Sequence, residues 1–457
     1  MQFSTKNLKT TFQNKLSSVS LDDSKDGAPP NRSKSGLSKI LKNSGWMAAE
    51  QVIRLIAGLF VGIWIARHLG PNSYGSLSLA LALATIVGIF ATLGLNRTVV
   101  RELTLHANEE NFGKRIVASV LAWRLLFSFI CYAVTVGISL GFGQGDPLLV
   151  GIVAASIAFT SFDVIDHYFQ SKTASRYSAI ARSINFFLFL CTKLGLLLSG
   201  ADVVYFAIAT SLEAMGNAVA LCFAFRTYGI RPGIKDIDMR YGWSMIMHSW
   251  PELFAGFACL IFMRIDQIML GNMIGDAAVG EYAVASRLAE AWYFIPGALV
   301  TSSFPAIVRQ RTQDSVLYLK RLHQLMLVMV GISYLVAAVV TLLAPWVIST
   351  LFGEAYTSSA AILIVLIWSG LFVSLGTASG SWIMAEGKPM LNLTRNVAGA
   401  LANIAFNFYL IPLYGPLGAA IGTLGSLSIA YFFSDFLNPR TRHIGILKLK
   451  ALLLIWK

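Results

Sequence analysis

The stretch Ile261–Ala285, "IFMRIDQIMLGNMIGDAAVGEYAVA", decides the fold. Its first part is apolar apart from two charges two residues apart, Arg264 and Asp266. A turn rich in glycine follows, and then a second apolar run begins. Most of the remaining chain is greasier still. Over 457 residues it is 56% hydrophobic and 13% charged, and its mean hydropathy is +0.65. A soluble domain carries about a quarter charged residues, so this composition predicts a polytopic membrane protein. Lipid offers no partner to backbone N–H and C=O groups, which leaves helices or closed barrels. The apolar runs are continuous over roughly 20 residues and do not alternate in short segments, so the prediction is all-α.

Twelve spans are predicted, at roughly 46–67, 74–95, 116–140, 147–169, 177–199, 202–225, 244–270, 279–308, 322–344, 354–384, 391–411 and 417–437. With the N-terminus inside, 30 of the 36 Lys and Arg residues fall on the cytoplasmic side and one, Arg67, outside. That asymmetry supports an even span number with both termini cytoplasmic. It also accounts for the formal charge of +13 without nucleic acid. Residues 1–45 are polar, carry no apolar core with a cleavage site, and predict a disordered cytoplasmic tail. Residues 226–243 form a cytoplasmic linker and 438–457 a cytoplasmic tail, whose "ILKLKALLLIWK" is too short to span and is interrupted by lysines. The four cysteines lie in apolar runs with no CxxC pair, so neither a disulfide framework nor a metal site is expected.

The opening stretch has an echo. "IARHLGPNSYGSLSLA", residues 65–80, places Gly70 and Gly75 at the same offset of 205 from Gly275 and Gly280. The echo recurs after six spans, an even number, so the two halves, 46–225 and 244–437, enter the membrane in the same sense. Parallel repeats of this kind are a transporter architecture with the substrate site between the halves. Five cations remain within the spans: Arg54, Arg124, Lys193, Arg264 and Arg287. They are accompanied by Glu50, Asp163, Asp166, Glu213, Glu252, Asp266 and Glu290. A charge at the bilayer centre costs about 2.5–3.5 kcal/mol on insertion scales. These groups must therefore pair, sit near span ends, or line a wet cavity.

"LANIAFNFYLIPLYGPLGAAIGTLGS", Leu401–Ser426, with Asn403, Asn407, Pro412, Tyr414-Gly415 and Thr423, resembles the multidrug/oligosaccharidyl-lipid/polysaccharide flippase superfamily. The passage around Asp266, Gly271 and Gly280-Glu281-Tyr282, followed by Pro296 and Pro305, resembles it too. The similarity is greatest to the polysaccharide transporter branch, which includes O-antigen flippases. The resemblance implies a flippase that moves a polyprenyl-pyrophosphate-linked oligosaccharide across the bacterial cytoplasmic membrane by alternating access. It also implies a cationic central cavity between two six-helix halves and coupling to an H⁺ or Na⁺ gradient, with no other cofactor.

Arg and Lys recognise pyrophosphate, so Arg54, Arg264, Arg287, Arg124 and Lys193 are the candidate cavity cations. Arg124 and Lys193 could equally be structural partners of acids in neighbouring spans. Glu50 and Arg54 share a helix face, as do Arg287 and Glu290. Arg264 and Asp266, at i and i+2, do not face each other, so Asp266 is expected to pair with another helix or cap the outer loop. Glu50, Glu252 and Glu290 are the ion-coupling candidates, Glu252 because Pro251 is expected to break its helix. Asp163, Asp166 and His167 could form a metal or proton site, although a solvated face fits better. Membrane lipid and other polysaccharide-assembly proteins complete the expected partners. A multidrug or peptidoglycan-precursor exporter of the same fold is the alternative function. A membrane polymerase or ligase fits less well, because the outer connections are short and no catalytic set converges.

Overall fold

The computed structural model describes residues 34–106, 109–311, 315–388 and 390–456, with side chains described from Ile53 onward except at 110, 305, 306, 309–311 and 315. The chain divides into two compact units at Gln51. Of the first, residues 34–51 are helical. A disordered tail was expected to reach residue 45, but Leu37, Ile40 and Leu41 already have helical spacing. The second unit, residues 52–457, carries everything that follows.

Of the described residues 89% are helical, and no strand occurs among them. Among the described residues, ten stretches are long and apolar enough to cross a membrane by length and composition. One of them, Ile53–Leu105, covers the first two predicted spans. Its helix, Lys34–Gly88, is broken at Gly70, where φ 72° and ψ 171° favour glycine and Pro71 starts the second rod. The eighth predicted span, 279–308, is in fact two helices, Asp276–Ala291 and Phe294–Arg311. They meet at Trp292–Tyr293, just before Pro296. Pro251 does not break its helix, which runs continuously over Met239–Met273.

Large apolar side chains such as Phe129, Phe142, Phe223 and Phe408 are exposed on the outside, where lipid would meet them. The interior is tighter and richer in small residues, among them Ala66, Ala80, Ala154, Ala207 and Ala285. Small side chains let helix backbones approach closely, which drives packing where lipid removes the hydrophobic drive.

The two glycine-rich echoes meet at one end of this packing. Ser76 hydrogen-bonds the Asp276 carboxylate. A Cβ on Gly75 would strike the Asp276 carbonyl, and one on Gly280 would strike the Pro71 carbonyl. Gly275, with φ 125° and ψ 178°, turns the chain much as Gly70 does. Nearby, Tyr356 donates to the Ala66 carbonyl at 2.8 Å and Arg67 to that of Thr350 at 3.1 Å.

At the opposite end, Asp238 caps the helix Met239–Met273 by accepting from the Tyr241 amide at 2.9 Å and pairs with Arg115. The Tyr241 amide and the Arg115 guanidinium hold its carboxyl below the usual carboxylate range. The terminal helix, Arg442–Leu452, is too short to span, in keeping with its sequence. Its Lys448 is fully buried against Asp435 and the Tyr431 carbonyl. Burial pushes that ammonium down to about 8 against the opposing pull of Asp435.

Candidate functional site

Three cavities share walls in the interior. One of about 520 Å³ is lined by Arg54, Tyr74, Arg264, Arg287 and Glu290, among others. A second, of about 290 Å³, shares Tyr74 and Arg287 and adds Lys193 and Glu213. A third, of about 450 Å³, joins the first at Arg54 and the second at Glu213 and Phe186, and adds Asp163 and Arg182. Five cations and three carboxylates therefore face this lumen.

Most of the cations are matched. Arg264 forms a two-pronged contact with Glu290, at 3.3 and 3.2 Å. Lys193 donates to Glu213 at 2.6 Å. Arg182 holds Asp163 at 3.0 Å and Asp166 at 3.2 Å. Arg287 differs: its hydrogen-bond partners are neutral, the Tyr74 hydroxyl at 3.2 Å and the Gly58 carbonyl at 3.3 Å. Gly62 lies against the guanidinium, and a Cβ there would collide with it. Arg287 thus keeps its charge and an exposed surface inside the lumen. Its neighbour at i+3, Glu290, turns to Arg264.

Four of the five proposed cations, Arg54, Lys193, Arg264 and Arg287, line these cavities. Arg124 lies elsewhere, 1% exposed, donating to Asn96 at 2.6 Å. His167 meets the same Asn96 oxygen at 3.1 Å. Asp163, Asp166 and His167 are thus tied into a network with Arg182 and Asn96, and no cluster suited to a metal ion occurs among the described residues. Glu252 pairs with Arg97 at 3.4 Å, away from the three cavities. The side chain of Glu50 lies outside the described residues.

Asp266 faces away from Arg264 into the protein and is 1% exposed. It accepts hydrogen bonds from Tyr282 at 2.6 Å, Asn407 at 2.5 Å and Thr423 at 2.8 Å, which lie on three other helices. These partners are all uncharged. The Asn407 side-chain oxygen beside it is buried with no partner among the described residues. Oxygen donors around one buried carboxylate suit a proton or a small hard cation. Asn403, Asn407 and Thr423 are the polar positions of the 401–426 motif. Their spacing puts them on one helix face or the next, but the sequence could not reveal that Asp266 is the residue they surround.

A helical, multi-pass membrane protein with a cation-rich interior lumen belongs to the class of membrane transporters. Within it, residues 40–311 match the family described as polysaccharide biosynthesis protein, and the chain belongs to that family. It is 24% identical over 401 residues to a protein of Shigella flexneri named for O-antigen transport, covering 84% of this chain and 93% of that one. It is 23% identical over 404 residues to a protein of Haloferax volcanii named as the flippase AglR, covering 86% and 82%. Among solved structures, the lipid II flippase MurJ in an inward closed conformation matches with a TM-score of 0.63 at 14% identity. That match covers 89% of this chain and 91% of MurJ and is a likeness of fold.

Proposed function

We propose that this protein is a flippase that carries an oligosaccharide linked to polyprenyl pyrophosphate from the cytoplasmic to the outer leaflet of a bacterial cytoplasmic membrane. Both termini are cytoplasmic on this reading, and the end sealed by the glycine echoes faces outward. The protein acts by binding and reorientation and makes no covalent bond. The observation that carries the reading is the lumen's charge. Five cations face three carboxylates, and the hydrogen bonds of Arg287 go to neutral groups, the Tyr74 hydroxyl and the Gly58 carbonyl. A guanidinium held in this way offers a fork of N–H donors to a pyrophosphate. The sugar needs a wet, polar interior, and the polyprenyl tail can stay in lipid. An excess of cations disfavours the cationic drugs that a multidrug exporter would take. Family membership and the relative named for O-antigen transport favour a polysaccharide precursor over a peptidoglycan one.

Transport against a cargo gradient needs an energy source, and an H⁺ or Na⁺ gradient is the proposed one. Glu290 and Glu252 are each engaged by an arginine. Asp266 is therefore the better seat for the coupling ion, because its partners are neutral.

The test is complementation. The chain is expressed in bacteria lacking their own O-antigen flippase, alongside Arg287→Ala and Arg287→Lys, and surface polysaccharide is scored. Charge-assisted hydrogen bonds contribute about 1.5–3 kcal/mol each. Arg287→Ala, expressed and inserted normally, should therefore lose surface polysaccharide at least about tenfold, and Arg287→Lys should retain part of it. Full export by Arg287→Ala would remove Arg287 from the cargo site.

A further inference from the structure

The three connected cavities are not chemically alike. The 450 Å³ compartment is walled by the N-terminal residues Arg54, Thr160, Asp163, Arg182, Glu213 and Asn217, with Phe159 and Phe186 beside them. Within it, two cations balance two carboxylates, so it carries no net charge, unlike the neighbouring cavity that holds Arg264 and Arg287. Its hydrogen-bonding capacity is not used up. Arg182 engages one Asp163 oxygen, and Lys193 engages one Glu213 oxygen. The Thr160 hydroxyl donates only to its own helix, to the Ile157 carbonyl at 2.8 Å. The Asn217 side chain makes no hydrogen bond among the described residues and is half-buried. The compartment beside Asp266 is smaller, about 120 Å³, and sets Asp266, Tyr282 and Thr423 among Phe262, Met263 and Leu427.

We propose that this N-terminal compartment seats the sugar residues next to the pyrophosphate, and that it selects neutral hexoses or N-acetylhexosamines. The inference rests on the flippase reading and deepens it. Arg54 belongs to both this compartment and the phosphate-binding cavity, so a cargo whose pyrophosphate lies between Arg54 and Arg287 must place its first sugar on one side or the other. Of these two compartments, the N-terminal one has the room for a sugar. Its volume falls within the range of ligand pockets, about 300–1,000 Å³. Carboxylates neutralised by their own cations accept hydroxyl hydrogen bonds without demanding a charged ligand. An amide adds two donors and an acceptor, and aromatic rings present apolar faces to sugar C–H groups. An acidic sugar would set a third anion against Asp163 and Glu213, and a cationic one would meet Arg54 and Arg182. Both would lose to a neutral sugar.

The full chain, reconstituted in phosphatidylethanolamine/phosphatidylglycerol nanodiscs, is titrated with undecaprenyl diphosphate. It is then titrated with the same lipid bearing one glucose, galactose, N-acetylglucosamine or glucuronic acid. The readout is the ratio of each headed lipid's affinity to that of the bare lipid. At least one neutral head should raise affinity about tenfold, and glucuronic acid should not. In Asn217→Ala and Thr160→Val, both checked for a single size-exclusion peak, that ratio should fall at least about threefold. In Arg287→Ala the ratio should persist while both affinities drop. If no neutral head improves on the bare lipid, or if the ratio survives both substitutions, the compartment is not the sugar seat. If the wild-type chain binds none of these lipids, the flippase reading itself fails, and this inference fails with it.

Discussion

Arg264 and Asp266 answer at the scale of single residues why an apolar helix carries two charges. About 200° of helical rotation separates positions i and i+2, so the two side chains face different neighbours. Arg264 enters the lumen and meets Glu290, while Asp266 enters the packing between helices and meets Tyr282, Asn407 and Thr423. Their energetic roles differ accordingly. The Arg264–Glu290 pair is 30% and 27% exposed, and a partly solvated pair contributes about 0–1 kcal/mol. Removing the Asp266 carboxylate takes the shared acceptor from three buried donors; Asn407 and Thr423 keep second acceptors in Asn403 and the Ala419 carbonyl, and a buried donor left unpaired costs about 1–3 kcal/mol. Asp266→Ala should therefore lower the melting temperature in detergent far more than Arg264→Ala does. Asp266→Asn should stay near wild type, because its new amide can face the unpartnered Asn407 oxygen once that side chain flips. Equal losses from Asp266→Asn and Asp266→Ala would show that the negative charge, and not the hydrogen-bond set, holds the site together.

The glycine echoes act at the scale of whole elements. From the sequence they mark equivalent positions in two halves. In the structure they also touch, packing backbone to backbone at one end. Sequence spacing shows that two segments are alike, but not that they pack on each other, so their contact was not legible. The break at Trp292–Tyr293 was missed for a different reason. Hydropathy runs on across the turn, and Pro296, in the first turn of the second helix, was its one local signal. Since Gly75 and Gly280 each abut the backbone of the opposite copy, a methyl group at either site must push the two apart. Gly280→Ala should raise amide hydrogen exchange in both 70–76 and 275–281, and Gly75→Ala should do the same. The double substitution should add little, because the shared contact is already lost. Exchange that rises only in the substituted segment would show that the two copies do not brace each other.

For the whole molecule, composition and the distribution of basic residues made the fold class legible, because lipid tolerates so few solutions. The lumen was legible only in part. An intramembrane charge must be paired or wet, but which of the two depends on a partner from another helix. Arg124 and Arg287 look alike in sequence, yet one is packed against Asn96 and the other faces a cavity. The same limit concealed Asp266, whose partners lie 16 to 157 residues away. Its position has a consequence for the transport cycle. A carboxylate bonded to helices Met239–Met273, Asp276–Ala291, Met390–Tyr414 and Pro416–Ser428 ties their relative positions to its own charge state or bound ion. Two of those helices also bear the lumen cations Arg264 and Arg287, so ion binding at Asp266 and cargo binding in the lumen bias the same elements. In proteoliposomes loaded with a fluorescent polyprenyl-diphosphate glycolipid, an imposed Na⁺ or pH gradient should drive the wild-type chain to an unequal leaflet distribution. Asp266→Asn should still equilibrate the lipid between leaflets but stop responding to either gradient. A gradient response that survives Asp266→Asn would place the coupling ion elsewhere in the chain.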